Sequence, residues 1–172
     1  GTKNQVKYAI KKAAIEAGVN YTNEKWLGGL MTNFSVIRKV IRKYSDLVEK
    51  KQTGKLDRYT KKERLDFERE IERLEKRVGG LVNLDKLPDV IFIWDLKKEN
   101  TAMKEAIQMN IPIVAVCDTN VNPAGVHKII PANDDATKTI ELILDTVKDA
   151  IIEGRKKEAK AEDSKQSEAD RR

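Results

Sequence analysis

Through residues 5–17, apolar side chains recur at three- and four-residue steps, at Val6, Ile10, Ala13, Ala14 and Ala17, with Lys3, Lys7, Lys11 and Lys12 interspersed. That period turns one face of a helix toward a core, and Gly18 is a natural stop for it. Residues 19–26 read as a short extended piece. Leu27-Gly28-Gly29-Leu30-Met31 follows as a bend whose paired glycines let another chain segment approach closely.

The next pattern is narrower. Ile37, Ile41, Tyr44 and Val48 step by four, three and four residues, and Phe67, Ile71, Leu74 and Val78 do the same further on. Each set is a heptad seam, and the two match when their helices run antiparallel. Ser35 is expected to cap the first helix, and Thr60-Lys61-Lys62-Glu63 to open the second as a capping box. The polar stretch 52–59, with Gly54 inside it, is the loop between them. Outside the seams the surfaces carry Lys, Arg, Asp and Glu. A helix packed into a globular core needs a wider apolar stripe, so residues 35–78 are expected to project as a coiled-coil hairpin.

After Gly79 and Gly80 the pattern becomes that of a buried sheet. Val90-Ile91-Phe92-Ile93-Trp94-Asp95 and Ile113-Val114-Ala115-Val116-Cys117-Asp118 are continuous apolar runs, each introduced by a proline, Pro88 and Pro112. A helix is expected over 100–109 and a short strand over 128–130, after the turn Asn120-Val121-Asn122-Pro123-Ala124-Gly125. A last helix over 135–154 presents Ile140, Ile143, Leu144, Val147 and Ile151 on one face. Strand, helix, strand and helix in that order imply a parallel sheet with right-handed crossovers. The expected layout is an α/β domain of residues 1–34 and 79–154, the hairpin 35–78, and a disordered charged tail 155–172. Gly1-Thr2-Lys3-Asn4 reads as the turn after a strand whose own residues precede it, so the chain is expected to lack an amino-terminal part.

Charge adds a binder to this picture, beside the plainer reading of a solvated surface whose composition drifts along the chain. The net charge is +6, yet residues 1–51 hold 11 Lys+Arg against 4 Asp+Glu while residues 80–154 hold 7 against 12. A cationic half beside an acidic half suits a polyanionic partner better than a small neutral substrate. Arg38, Lys39, Arg42 and Lys43 form strips flanking the first seam, and Lys50, Lys51, Lys55, Arg58, Lys61 and Lys62 cluster at the hairpin tip. Such groups meet phosphates. Trp26 beside Lys25, and Tyr59 at the tip, are candidates to stack on unpaired bases. The competing readings are packing of Trp26 under the glycine bend and ion pairing of the cations with Glu49, Glu63 and Glu70.

Enzyme-like features are few. Asp95, Asp118, Asp134 and Asp135 fall at strand ends, where open parallel sheets bind ligands, and carboxylates there suit a magnesium-dependent phosphoryl-transfer or hydrolase domain. The same aspartates also suit turns and helix caps, a role open to Asp134 or Asp135. No phosphate-binding glycine loop, dinucleotide fingerprint or nucleophile elbow is present. Cys117 and His127 are each the sole residue of their type, which excludes disulfide frameworks and multi-cysteine or multi-histidine metal sites; Cys117 reads as a core residue. No cofactor or metal is expected. No apolar run approaches the roughly 20 residues that span a bilayer, so a soluble, cytoplasmic chain is expected, with no membrane partner.

Several segments together resemble one family. Lys25-Trp26-Leu27-Gly28-Gly29-Leu30-Met31-Thr32-Asn33-Phe34 is similar to the tryptophan, leucine, double-glycine and Thr-Asn segment of the second ribosomal protein of the bacterial small subunit, the S-two family. Residues 88–95, Ile111-Pro112, Asp118-Thr119-Asn120 and Ile130-Pro131-Ala132-Asn133-Asp134-Asp135-Ala136 extend the match in the family's order. Lys25 stands where the family usually has Arg, Asn122 where it often has Asp, and Ala132 where it often has Gly. The Lys25 change keeps a cation and loses the two-pronged guanidinium contact. The resemblance implies a doubly wound, Rossmann-like α/β domain with a protruding antiparallel coiled-coil hairpin. It further implies a structural role in translation, bound to small-subunit ribosomal RNA and to neighbouring ribosomal proteins including protein S one, on a bacterial-type or organellar ribosome.

Overall fold

A computed structural model of the chain describes residues 1–169, with side chains described through residue 158. In chain order it contains α1 (Lys7–Ala17), α2 (Phe34–Gln52), α3 (Lys61–Val78), a single 3-10 turn (Gly79–Leu81), β1 (Ile91–Ile93), α4 (Asn100–Gln108), β2 (Ile113–Cys117), β3 (Lys128–Pro131) and α5 (Thr137–Ala169).

The three strands lie in the order β1-β2-β3 and are all parallel, with Ile93 opposite Ala115 and Ala115 opposite Ile129. Alternation along the strands sends side chains to two faces, and both are covered. On one face Ile93, Ile113, Ala115 and Cys117 pack with Met31 and with Ala102 and Ala106 of α4. On the other, Phe92, Trp94, Val116 and Ile130 pack with Val6, Ile10 of α1, and Ile140 and Leu144 of α5. The expected doubly wound parallel sheet is therefore present. α1 closes at Gly18, whose φ of 65° is the left-handed conformation a glycine adopts without a Cβ clash. Arg155 of α5 then donates from one guanidinium nitrogen to the carbonyl oxygens of Ala17 (2.8 Å) and Gly18 (3.1 Å), a cation where the helix dipole is negative.

α2 and α3 form the antiparallel hairpin around their own cluster, in which Ile37, Ile41, Leu47, Ile71, Leu74 and Val78 are buried with Leu27, Leu30 and Leu81 at the base. Tyr44, Val48 and Phe67 of the expected seams are only half-buried, because two helices alone leave the flanks of a seam open to water. Thr60 and Glu63 make the expected capping box in both directions.

Three expectations need correction. α2 begins at Phe34 after Asn33, and no side chain caps it; Asn33 already bonds back to Gly29 through its N–H, so the turn sets the helix one residue ahead of Ser35. β1 is shorter than residues 90–95, since Asp95 has left the ladder to accept the N–H groups of Lys97 and Lys98. α5 continues through Ala169 where an irregular tail from residue 155 was expected. Ala, Lys, Glu and Arg there are strong helix formers extending an existing helix, and the Glu153–Lys157 pair at 2.7 Å bridges one turn. The end of the expected tail, residues 170–172, lies outside the described residues.

The chain leaving the hairpin is strapped to the segment after α1. Tyr21 donates its N–H to the Gly80 carbonyl at 2.9 Å, and a methyl group on Gly80 would collide with the Tyr21 carbonyl oxygen and ring. Gly80→Ala is therefore expected to cost about 1–3 kcal/mol, as overpacking against backbone does. Gly28→Ala, where an added Cβ meets nothing within 4 Å, is expected to change stability by less than about 0.5 kcal/mol. Urea denaturation of both variants checks this, and equal midpoints would show that the strap is not packed.

Candidate nucleic-acid interface

The hairpin displays its basic residues unevenly. Lys43 reaches across to Glu70 of α3 at 2.8 Å, where Arg73 also binds, and the bonds from Arg73 and Lys43 hold the Glu70 carboxyl down to about 2. Lys51 pairs with Glu68 and Lys55 with Glu49, each at 3.6 Å. Glu63, expected as a further ion-pair partner, instead bonds the Thr60 backbone and hydroxyl. Among the described residues, Lys25, Arg38, Lys39, Arg42, Lys50, Arg58, Lys61 and Lys62 make no ion pair; Arg38 is half-buried and the others are exposed. Exposed pairs of the first kind contribute little to stability and already satisfy their cations. The second set has no acidic partner among the described residues.

The two aromatic candidates are already engaged. Tyr59 lies edge-on to Phe67 with ring centroids 5.1 Å apart, and the Arg58 guanidinium stands 5.3 Å over its ring, so it closes the hairpin tip. Leu56, whose carbonyl accepts the Tyr59 N–H at 3.1 Å, is buried. Trp26 is half-buried and packs against both the hairpin cluster and the α4-side cluster of the sheet, as the packing reading has it. Its indole N–H donates to Glu105 at 3.1 Å.

Glu105 is the residue that sequence reasoning missed. It sits on the buried face of α4 with Ala102 and Ala106, and only 7% of it is exposed. A charge at the i+3 position of an otherwise apolar helix face was the available signal. Its carboxylate accepts from Trp26 Nε1, from the N–H groups of Gly29, Met31 and Thr32, and from the Thr32 hydroxyl. Burial alone pushes this carboxyl up. The bonds from Met31, Gly29, Trp26 and Thr32 outweigh burial and hold it below the ordinary glutamate range. A group lowered on folding stabilises the fold above its unfolded value of about 4.3, and that contribution is lost as pH falls through the lower folded value.

The strand-end aspartates are also engaged. Lys3 places its ammonium 2.8 Å from Asp134, 2.8 Å from Asp135 and 3.9 Å from Asp95, so the chain supplies its own cation to them. Asp118 stands apart and accepts the Thr119 N–H at 2.6 Å. Among the described residues neither Asp134 nor Asp135 accepts a hydrogen bond from α5, and Asn133 accepts the N–H groups of Asp135 and Ala136 in a turn that precedes the helix. Among the described residues no three acidic, His or Cys side chains gather to hold a metal. Partial burial pulls the Lys3 ammonium down, but its bonds to Asp134 and Asp135 raise it above the ordinary lysine value. Lys3→Met strands the buried Asp134 carboxylate and is expected to cost about 2–3 kcal/mol at neutral pH. For a raised lysine that contribution is full below the unfolded value of about 10.4 and lost as pH climbs through the folded one. Urea midpoints of both proteins at pH 7 and pH 11 check this, and a gap that does not narrow at pH 11 would refute it.

Residues 1–154 match the family described as Ribosomal protein S2. The small ribosomal subunit protein uS2 of Chlorobaculum parvum is 47% identical over 99% of this chain and 69% of its own length. Those of Idiomarina loihiensis and Pseudoalteromonas atlantica are 44% and 42% identical over 95% and 98% of this chain, which correspond to 68% and 70% of their lengths. With its parallel sheet covered on both faces, its antiparallel hairpin and a match over nearly the whole body, the chain belongs to the ribosomal protein S2 family.

Proposed function

We propose that this chain is a structural constituent of the small ribosomal subunit, and that it binds ribosomal RNA through phosphate contacts from its amino-terminal half and hairpin. The relatives that match it are named as small-subunit proteins. One observation carries the placement of the RNA-facing surface: Arg38, Lys39, Arg42 and Lys50 project from α2 without an acidic partner among the described residues, while Lys43, Lys51 and Lys55 are held by glutamates. Lys25, Arg58, Lys61 and Lys62 extend this surface to the turn and the tip. Trp26, beside Lys25, is taken up by packing and by its bond to Glu105, which leaves Lys25 as the phosphate contact of the pair in this reading. The reading is structural and not enzymatic, since Lys3 occupies the centre of the aspartate group on which a magnesium enzyme would depend.

The same reading includes contacts with neighbouring small-subunit proteins, protein S one among them, and a site of action on bacterial-type ribosomes in the cytoplasm. No helix among the described residues is long and apolar enough to cross a membrane.

Replacing Arg38, Lys39, Arg42 and Lys50 by Gln removes four charges. Binding to small-subunit RNA is expected to weaken and the slope of log affinity against log salt to fall by about 3, at roughly 0.7–0.9 per phosphate contact. Filter binding over a salt series measures both. An unchanged slope removes the strip from the RNA interface, and weakened association of the variant with RNA-free ribosomal proteins would assign it to protein contacts instead.

A further inference from the structure

We propose that Glu105 is the positioning residue of this interface: through the turn of residues 26–32 it sets the direction in which the hairpin, and the cations on it, leave the α/β body. This rests on the reading of the hairpin as an RNA-binding arm and adds to it the part that aims the arm.

The turn lies directly before α2, and α2 starts at Phe34, two residues after Thr32. The Glu105 carboxylate belongs to α4, an element of the sheet body. It grips the turn at five donors, 3.1 Å from Trp26 Nε1, 2.8 Å from Gly29 N, 2.9 Å from Met31 N, 3.3 Å from Thr32 N and 3.4 Å from Thr32 Oγ. Three are backbone groups of a segment with no strand or helix to satisfy them. No cation takes part among the described residues, so the carboxylate's negative charge is stabilised entirely by the geometry of the turn, and the turn by the charge. An amide in the same place has only one acceptor oxygen and brings two donors of its own, which would face the N–H groups it displaces. The body and the hairpin then lose their main polar link, and the arm samples other directions.

RNA binding by a loosened arm is weakened by the fraction of molecules aimed correctly. If that fraction falls to a tenth, affinity falls about tenfold, while the number of phosphate contacts in the bound state, and hence the salt slope, stays the same.

The test uses the whole chain with Cys117→Ala, labelled with spin labels at Gln52→Cys on the hairpin and Lys138→Cys on α5. Pulsed electron resonance distances are read beside binding of small-subunit RNA across salt. Glu105→Gln is expected to broaden the distance distribution and to lower affinity about tenfold at unchanged slope, with Glu105→Asp recovering part of both. A distribution as narrow as that of the parent, or a broadened one with unaltered affinity, overturns the proposal. Should Glu105→Gln not fold, Trp26→Phe, which removes one donor and keeps an aromatic side chain, takes its place, and an unaltered distribution in that variant also overturns it. Failure of the underlying RNA reading is separately visible, because there the four-Gln cation variant would leave affinity and slope unchanged while Glu105→Gln still broadened the distances.

Discussion

A buried carboxylate with no counter-charge beside it among the described residues is an expensive object, and this fold is arranged around one. Glu105 is tolerated on the inner face of α4 only because the chain between α1 and α2 folds back to offer it N–H groups. The dependence runs in both directions. Without the carboxylate the glycine bend would bury backbone donors that no ladder or helix satisfies. Without the bend, α4 would carry a bare charge into the α4-side cluster of the sheet. The indole of Trp26 completes the arrangement, since it touches that cluster and the hairpin cluster at once.

The charge asymmetry along the chain acquires a spatial meaning from the same contacts. Part of the charge of the acidic carboxyl-terminal half is answered from the opposite end of the chain, where Lys3 sits among Asp95, Asp134 and Asp135. The basic half answers only some of its own. Glutamates on α3 absorb Lys43 and Lys51, while the arginines of α2 stay outside the pairing. A surface laced with pairs resists indiscriminate attraction to any polyanion, and an unpaired patch within it localises the attraction.

Much of the architecture was legible because it rests on periodicity. The two heptad seams, the capping box at Thr60, the stop at Gly18 and the apolar runs of β1 and β2 are each local patterns with a single physical interpretation, and each is present. What escaped the sequence depends on contacts between distant residues. Glu105 lies 79 positions from Trp26, Lys3 lies far from the aspartates it joins, and Arg155 caps a helix formed at the other end of the chain. Apart from the apolar neighbours of Glu105 on α4, nothing in a window of about ten to fifteen residues distinguishes those groups from solvated surface charges. The continuation of α5 beyond residue 155 failed for a different reason. A polar segment without an apolar face does not nucleate a helix, but it can prolong one already nucleated by Ile140 and Leu144.

The strap between Tyr21 and Gly80 and the turn held by Glu105 both lie at the base of the hairpin, on its two crossings to the body. Nothing in either clamp involves the distal turns of α2 and α3. One heptad added to each helix would lengthen the arm by about 10 Å and keep the seam in step, leaving both clamps as they are. Reach and bearing are thus separate variables in this fold. Reach can change by whole heptads without touching the base, whereas bearing is tied to a glycine with no room for a side chain and a glutamate that cannot be left unpaired.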